Sequence, residues 1–190
     1  MKLILSEEQQ FLKDTAQSFA RDKTPTNHFR KLRDDGNAKC WDDSIWQEMV
    51  QLGWSGILVP EEFGGSDFGI AGISVIMQEL GKTLTPSPLL ATSVLGVSTI
   101  KLLGSDEQKT TYLPKIVSGE ATTALAVDEG NHHSPFDIEA TATLEDDKWI
   151  LNGQKVFIID GASADFILIV ARTSGKKGES NGLSVFIADK

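Results

Sequence analysis

Two short clusters of ionisable residues are the first candidates for chemistry in this 190-residue chain. Glu61-Glu62 is a carboxylate pair, but adjacent side chains point apart, whereas acid–base catalysis needs groups that face one site. His132-His133 suggests a metal site, but adjacent histidines do not easily share one tetrahedral ion, and no second ligand cluster accompanies them. The single cysteine, Cys40, lacks the neighbours that would activate a nucleophile. We therefore interpret the glutamates as a solvated loop, Cys40 as a packing residue, and the histidines as no metal site.

Nucleotide-binding motifs are the next candidates. The sequence contains no GxGxxG and no GxxxxGK followed by Ser or Thr. A dinucleotide, if one is bound, is therefore not held by a Rossmann turn or a P-loop. Phe157, at an apparent strand position, is by itself more typical of a core residue than of a cofactor platform.

Composition limits the possible partners and the compartment. The formal net charge of -9 argues against nucleic acid and against an anionic membrane surface as partners. No apolar run approaches the roughly 20 residues that span a bilayer. The first residues, MKLILSEEQQ, are too short in their apolar part and too acidic afterwards for a signal peptide. A single cysteine suits a reducing compartment, so we expect a cytoplasmic protein.

The stretch that would position a ligand is Trp149 to Thr173, WILNGQKVFIIDGASADFILIVART. Asn152-Gly153 lies between two apolar runs and is typical of a tight type I′ turn, which predicts paired strands over Lys148 to Leu151 and Gln154 to Ile159. A polar break follows at Asp160 to Ser163. The continuous apolar run Phe166 to Ala171 then predicts a buried strand. A hairpin that ends in a polar corner and returns as a core strand is a suitable platform for a ligand.

Helical patterns precede this region. Capping boxes at Ser6/Gln9 and Ser105/Gln108 predict the starts of two helices. The predicted helices are Glu7 to Arg21, Asn27 to Arg33, one capped by Asp43 or Ser44, Ile70 to Gly81, Leu89 to Leu103, and a last one through Tyr112 with a further turn over Pro114 to Val117. An ordered loop is predicted over Ile57 to Gly65.

The hydrophobic period changes from 3.6 to 2 near residue 120. Strands are predicted over Thr122 to Val127, Ile138 to Leu144, the Asn152-Gly153 hairpin, Phe166 to Ala171 and Leu183 to Ala188. The sequence therefore predicts an α+β protein, with an all-helical bundle domain over residues 1–120 and an antiparallel β-sheet domain over residues 121–190.

Several segments in this order carry a family resemblance. They are LGWSGILVPEEFGG from Leu52, GSDEQKTTYLPKIVSGE from Gly104, ALAVDEG from Ala124 and WILNGQKVFIIDGASAD from Trp149. Together with the helical domain that precedes them, they closely resemble the acyl-CoA dehydrogenase family over essentially the whole chain. Members of that family hold FAD between a β-domain and helical domains, without a Rossmann motif, and remove two hydrogens from Cα and Cβ of an acyl-CoA thioester.

The resemblance implies a set of cofactor-binding residues. The family's motif ALTEPxAGSD corresponds to the segment that begins at Leu125 and Ala126, continues through Val127, Asp128 and Glu129, and reaches Ser134, which we also assign to substrate binding. The family's motif W-I-T/S corresponds to Phe157, Ile158 and Ile159. Two hydroxyls are lost, because Asp128 replaces a threonine and Ile159 replaces Thr or Ser, and Gly130 replaces a proline. An ionised Asp128 only accepts hydrogen bonds and adds negative charge, which predicts weaker FAD binding, a lower reduction potential, or both.

The family continues past this region into further β-strands and a C-terminal helical bundle, which carries the glutamate base and most of the tetramer interface. The resemblance therefore implies a truncated β-domain, no catalytic base within these residues and no activity of this chain alone. It also implies acyl-CoA as substrate, an electron-transfer flavoprotein as electron acceptor, and a homo- or hetero-oligomer. The lost hydroxyls leave open an alternative, a non-catalytic subunit or fragment that pairs with an active homologue.

Overall fold

The computed structural model describes residues 4–189, so the apolar start Met1 to Leu3, part of the signal-peptide argument, lies outside the described residues. The chain divides into two compact units between Glu120 and Ala121. Within residues 4–189, no helix is both long enough and apolar enough to cross a membrane.

The first unit is helical. Its α-helices are α1 (Glu7–Lys23), α2 (Thr26–Asp34), α3 (Asp43–Gln51), α4 (Ile70–Lys82), α5 (Val97–Leu103) and α6 (Asp106–Val117), with a 3-10 turn at Glu61–Phe63 and a π-helix at Leu89–Gly96. Both predicted capping boxes form: Ser6 and Ser105 each accept from the backbone N–H three residues later, and the glutamine there bonds back. Met49, Ile76 and Leu113 are fully buried in the core of this unit.

Three helical predictions needed correction. The N-cap of α3 is Asp42, whose carboxylate accepts from the backbone N–H of Ser44 and Ile45, so neither Asp43 nor Ser44 is the cap. Pro114 lies inside α6 and does not begin a separate turn; the buried side chains around it, Leu113 and Ile116, keep that helix packed across the proline. The apolar segment predicted as one helix is a π-helix followed by α5.

The second unit is a five-stranded sheet built around β4. Its strands are β1 (Thr123–Ala126), β2 (Thr141–Glu145), β3 (Lys148–Asn152), β4 (Phe166–Arg172) and β5 (Leu183–Asp189). β4 pairs antiparallel with β5 along its whole length and parallel with β1, and it meets β2 in parallel at one pair, Thr141 with Arg172. The α+β class is confirmed, but the sheet is mixed and not purely antiparallel, because residues 127–165 cross over and return the chain in the direction of β1.

The predicted hairpin turn was wrong. β2 and β3 form the hairpin, with Thr141 opposite Asn152, and its turn is Asp146-Asp147 with φ of 45° and 62°. Positive φ at both central residues is what a type I′ turn needs, and Asp tolerates it. Gly153 instead lies against Ala140, where an added Cβ would be 2.5 Å from the alanine Cβ. Residues 153–158 form no strand, so the predicted strand from Gln154 to Ile159 is absent.

Candidate functional site

The end of β1 and the segment after β3 meet at two hydrogen bonds. The backbone N–H of Val156 donates to the carbonyl of Asp128 at 2.8 Å, and the Lys155 ammonium donates to the carbonyl of Val127 at 2.9 Å. The fold therefore brings together the two sequence segments that were predicted to form one site. Of the other predicted residues there, Leu125 lies partly buried in β1, opposite Leu168 of β4.

A buried ion pair joins these segments. Lys155 Nζ lies 2.7 Å from Glu129 Oε1, and the two side chains are only 7% and 13% exposed. Glu129 also accepts from the backbone N–H groups of Glu139 and Ala140, at 2.6 and 2.9 Å. Burial acts to raise the pKa of Glu129, but the hydrogen bonds from Lys155 and the two amides outweigh it, so its pKa lies below the ordinary value. Glu129 therefore fixes both ends of the loop that contains residues 130–138.

Sequence reasoning missed the role of Lys155. The available signal was a lysine directly before the apolar run Val156 to Ile159, since a buried ammonium requires an acidic partner. The sequence could not identify Glu129 as that partner, because the two residues are 26 positions apart.

The carboxylate of Asp128 closes the loop on itself. His133 Nδ1 lies 3.1 Å from each carboxylate oxygen, and the backbone N–H of Ser134 donates to Oδ1 at 3.1 Å. An ionised carboxylate only accepts, so His133 must carry its proton on Nδ1. The hydrogen bond from His133 and that from Ser134 hold the pKa of Asp128 below its ordinary value, against the opposing effect of burial. Asp128 therefore has donors within its own loop, a possibility that the sequence did not reveal.

Phe157, Ile158 and Ile159 form an exposed corner. Phe157 adopts a left-handed backbone conformation with φ of 54°, and its side chain is 73% exposed. Ile159 is also exposed and Ile158 is half-buried. Within residues 4–189, the backbone N–H groups of these three residues have no hydrogen-bond acceptor. The corner therefore presents an exposed aromatic ring and three backbone amides without an acceptor in residues 4–189, and Phe157 is not the core residue that its position alone suggested.

A polar cavity of about 360 Å³ lies beside the loop. The exposed Ser134 lines it, and so does Glu139, whose carboxylate binds Lys177 Nζ at 2.7 Å. The cavity lining is Glu129, Gly130, Asn131, His132, Ser134, Asp137, Glu139 and Lys177. Among the residues that the structure describes, no three His, Cys, Asp or Glu side chains could hold one metal ion. The site offers hydrogen-bonding groups, an exposed ring and free amides, which suit a large planar ligand with polar substituents.

Comparisons with known proteins identify the family of this chain. The family model "Acyl-CoA dehydrogenase, N-terminal domain" matches residues 6–120, and "Acyl-CoA dehydrogenase, middle domain" matches residues 124–190. The mitochondrial isovaleryl-CoA dehydrogenase of Pongo abelii is 31% identical over 198 aligned residues, which cover 98% of this chain and 44% of that protein. The chain thus spans about half the length of the curated relatives that it matches.

Solved structures give the same result. A structure described as the electron transferring flavoprotein of Acidaminococcus fermentans, in work on flavin-based electron bifurcation, matches with a TM-score of 0.83 and 32% identity, over 100% of this chain and 50% of that one. The FAD complex of PigA matches with a TM-score of 0.85 and 28% identity, again over 100% and 50%. Two family domains match in sequence order, a relative aligns with nearly all of the chain, and the fold is shared. The chain therefore belongs to the acyl-CoA dehydrogenase family.

Proposed function

We propose that this chain forms the helical and middle-domain part of a flavoprotein that oxidises an acyl-CoA thioester at Cα and Cβ. The observation that carries the proposal is the meeting of Val127–Glu129 with Lys155–Val156, next to the exposed corner at Phe157. Both segments lie in the region that matches the family's middle domain. FAD, when bound, would supply the acceptor for the hydride that leaves Cβ.

The residues at the corner fit a flavin. The free backbone amides of Phe157, Ile158 and Ile159 are donors of the kind that an electron-rich ring edge accepts. They offer an alternative to the two hydroxyls that Asp128 and Ile159 do not provide. The exposed Phe157 ring offers a face for stacking.

The neighbouring groups suit the polar part of the cofactor or substrate. We assign Ser134, whose hydroxyl has no partner within residues 4–189, to binding the polar portion of the cofactor and the acyl-CoA. Leu125 and Val127 support this side of the site from β1 and from the residue that follows it. The proton at Cα requires a base, which we assign to the family's C-terminal domain and to no residue of this chain.

The proposed partners follow from the same assignment. An electron-transfer flavoprotein would take the electrons, and the matched structure from Acidaminococcus fermentans supports that choice. We also propose a homo- or hetero-oligomer. The single cysteine, Cys40, is free and exposed, so it is not the packing residue that its sequence context suggested. We propose a reducing compartment such as the cytoplasm, where free cysteines persist.

The test is a titration of FAD into the chain, followed by flavin fluorescence and by calorimetry. We expect saturable binding, weakened roughly tenfold by Phe157→Ala, because an aromatic contact contributes about 0.5–1.5 kcal/mol beyond the area that it buries. Phe11→Ala is the matched control, since Phe11 in α1 is 72% exposed and should leave the affinity unchanged. Absence of binding by the wild-type chain would contradict the proposed enzyme function, and equal losses in both variants would contradict the proposed site.

A second function has specific support. The carboxylate of Asp128 is occupied by His133 and Ser134, and Ile159 presents no hydroxyl, which fits a non-catalytic subunit that pairs with an active homologue. The double variant Asp128→Thr with Ile159→Thr separates the two functions. A wild-type chain that binds no FAD, with binding gained in the folded double variant, supports the non-catalytic subunit; measurable wild-type binding supports the enzyme.

A further inference from the structure

Arg172, the last residue of β4, is a buried cation whose guanidinium donates to five backbone carbonyls. Arg172 is 6% exposed, and all three of its guanidinium nitrogens donate hydrogen bonds. The acceptors are the backbone carbonyls of Phe136, Ile138, Ser174, Glu179 and Asn181, at 2.9 to 3.4 Å. No carboxylate within residues 4–189 forms an ion pair with it. Five carbonyl dipoles therefore take the place of a counterion.

These carbonyls come from two separate loops. Phe136 and Ile138 belong to the loop that follows β1 and carries Ser134, whereas the other three acceptors belong to the connection between β4 and β5. The same two loops line the polar cavity of about 360 Å³, the second through Lys177. Arg172 is thus bonded to both of the loops whose other residues line the cavity.

Other contacts between the loops are weaker or exposed. The backbone N–H of Gly178 donates to the carbonyl of Phe136 at 2.9 Å, and Lys177 pairs with Glu139 while both side chains stay largely exposed. Exposed ion pairs contribute little to stability. A planar guanidinium with five donors is, by contrast, suited to hold several acceptors in a set geometry, and a lysine ammonium is not.

We propose that Arg172 is a positioning residue, which holds the loop carrying Ser134 and the β4–β5 loop in the arrangement that forms the cavity. The functional part of this inference, that the arrangement sets the affinity for the cofactor, rests on the proposed function. The structural part, that Arg172 orders both loops, does not depend on it.

The first test is hydrogen exchange of the whole chain, with the Gly178 amide as reporter of the contact between the loops and the amides of Ile167 to Ile169 as reporters of the sheet. Arg172→Met should speed exchange at Gly178 about tenfold or more and leave the sheet amides protected. Arg172→Lys should give an intermediate increase. Lys177→Met, which removes the exposed ion pairs of Lys177 with Glu139 and Asp137 and leaves Arg172 in place, is the control and should stay close to wild type.

Chemical rescue and cofactor binding complete the test. Guanidinium chloride at ~10 mM, far below denaturing concentrations, should slow Gly178 exchange again in Arg172→Ala and not in wild type. FAD affinity should fall about tenfold in Arg172→Met and less in Arg172→Lys. Equal loss of protection in loops and sheet, or unchanged exchange at Gly178, overturns the inference. Faster exchange with unchanged FAD affinity overturns its functional part. A wild-type chain that binds no FAD contradicts the proposed function, and the exchange and rescue data then decide the positioning role.

Discussion

Removing the ammonium from the buried Lys155–Glu129 pair should destabilise the second unit strongly. In Lys155→Met the apolar stem remains, but the Glu129 carboxylate loses a donor at 2.7 Å, and the carbonyl of Val127 loses one at 2.9 Å. Breaking a buried pair by removing one partner costs about 3–5 kcal/mol. Because Glu129 keeps two backbone N–H donors, we expect about 2–3 kcal/mol of lost unfolding free energy.

The assay needs a signal from the second unit alone. Trp149 in β3 is the one tryptophan in residues 121–190, and its ring lies 5.2 Å from that of Phe186. In protein labelled with 5-fluorotryptophan, the ¹⁹F resonance of Trp149, assigned with Trp149→Phe, follows the unfolding of this unit in urea. The midpoint and slope then give the free energy of unfolding.

Two further variants make the measurement discriminating. Lys177→Met removes an ion pair of the same length, 2.7 Å, with Glu139, and a longer one with Asp137 at 3.9 Å. The side chains of these pairs are 49–67% exposed, so the change should cost less than about 1 kcal/mol. Combining Lys155→Met with Glu129→Gln should cost less than the sum of the single changes, since the carboxylate left unpaired by the first is neutralised by the second. If Lys155→Met costs no more than Lys177→Met, or if the double variant is additive, the pair is not the buried link described above.

Three more predictions concern pH and packing. The pKa of Glu129 is lowered in the folded state, so the stability that its carboxylate contributes is present above pH 4.5 and is lost as pH falls through the pKa of the folded state. Glu129→Gln should therefore reduce the fall of the unfolding free energy toward acid pH, measured from pH 7 to pH 3. Burial raises the pKa of Asp160, so the stability that its protonated form contributes is present below pH 3.8 and is lost as pH rises through the pKa of the folded state. Asp160→Asn should therefore raise the melting temperature at pH 7, and Asn tolerates the φ of 56° at this position. A lower melting temperature of the variant would refute this prediction. Gly65→Ala would place a Cβ 2.1 Å from the carbonyl oxygen of Val59 and should lower the free energy of unfolding in urea by about 1–3 kcal/mol. Gly130→Ala, whose Cβ would have no atom within 4 Å, should leave it close to wild type. Similar losses in both variants would argue against tight packing at Gly65.

Local patterns predicted the elements of this fold well. The two capping boxes and the start of α1 at Glu7 depend on hydrogen bonds between residues three apart, so the sequence spacing contains the needed information. The apolar runs that became β4 and β5 were also evident, because strand-length runs bounded by polar segments have few alternatives. The family motifs predicted that two segments contribute to one site, and the structure brings those segments together.

Competition between similar local signals explains the main error. Asn152-Gly153 is a stronger turn signal than Asp146-Asp147, yet the chain turns at the aspartates. The choice depends on register, since a turn six residues earlier pairs β2 with β3 and brings Gly153 against Ala140. The register of a hairpin depends on which face of its strands is buried against other strands, and this is decided only by the tertiary structure.

By itself, the sequence determined the helical first unit, the strand-rich second unit and the family, because these depend on periodicity, on caps and on motifs read in order. Only the tertiary structure decided that Lys155 pairs with Glu129, that Asp128 binds His133 and that Arg172 joins two loops. The first and third of these contacts link groups 26 and 36 positions apart. Burial makes such polar contacts obligatory, because a buried charge without partners is costly, but the partner is whichever group the crossover of the chain places within hydrogen-bonding distance.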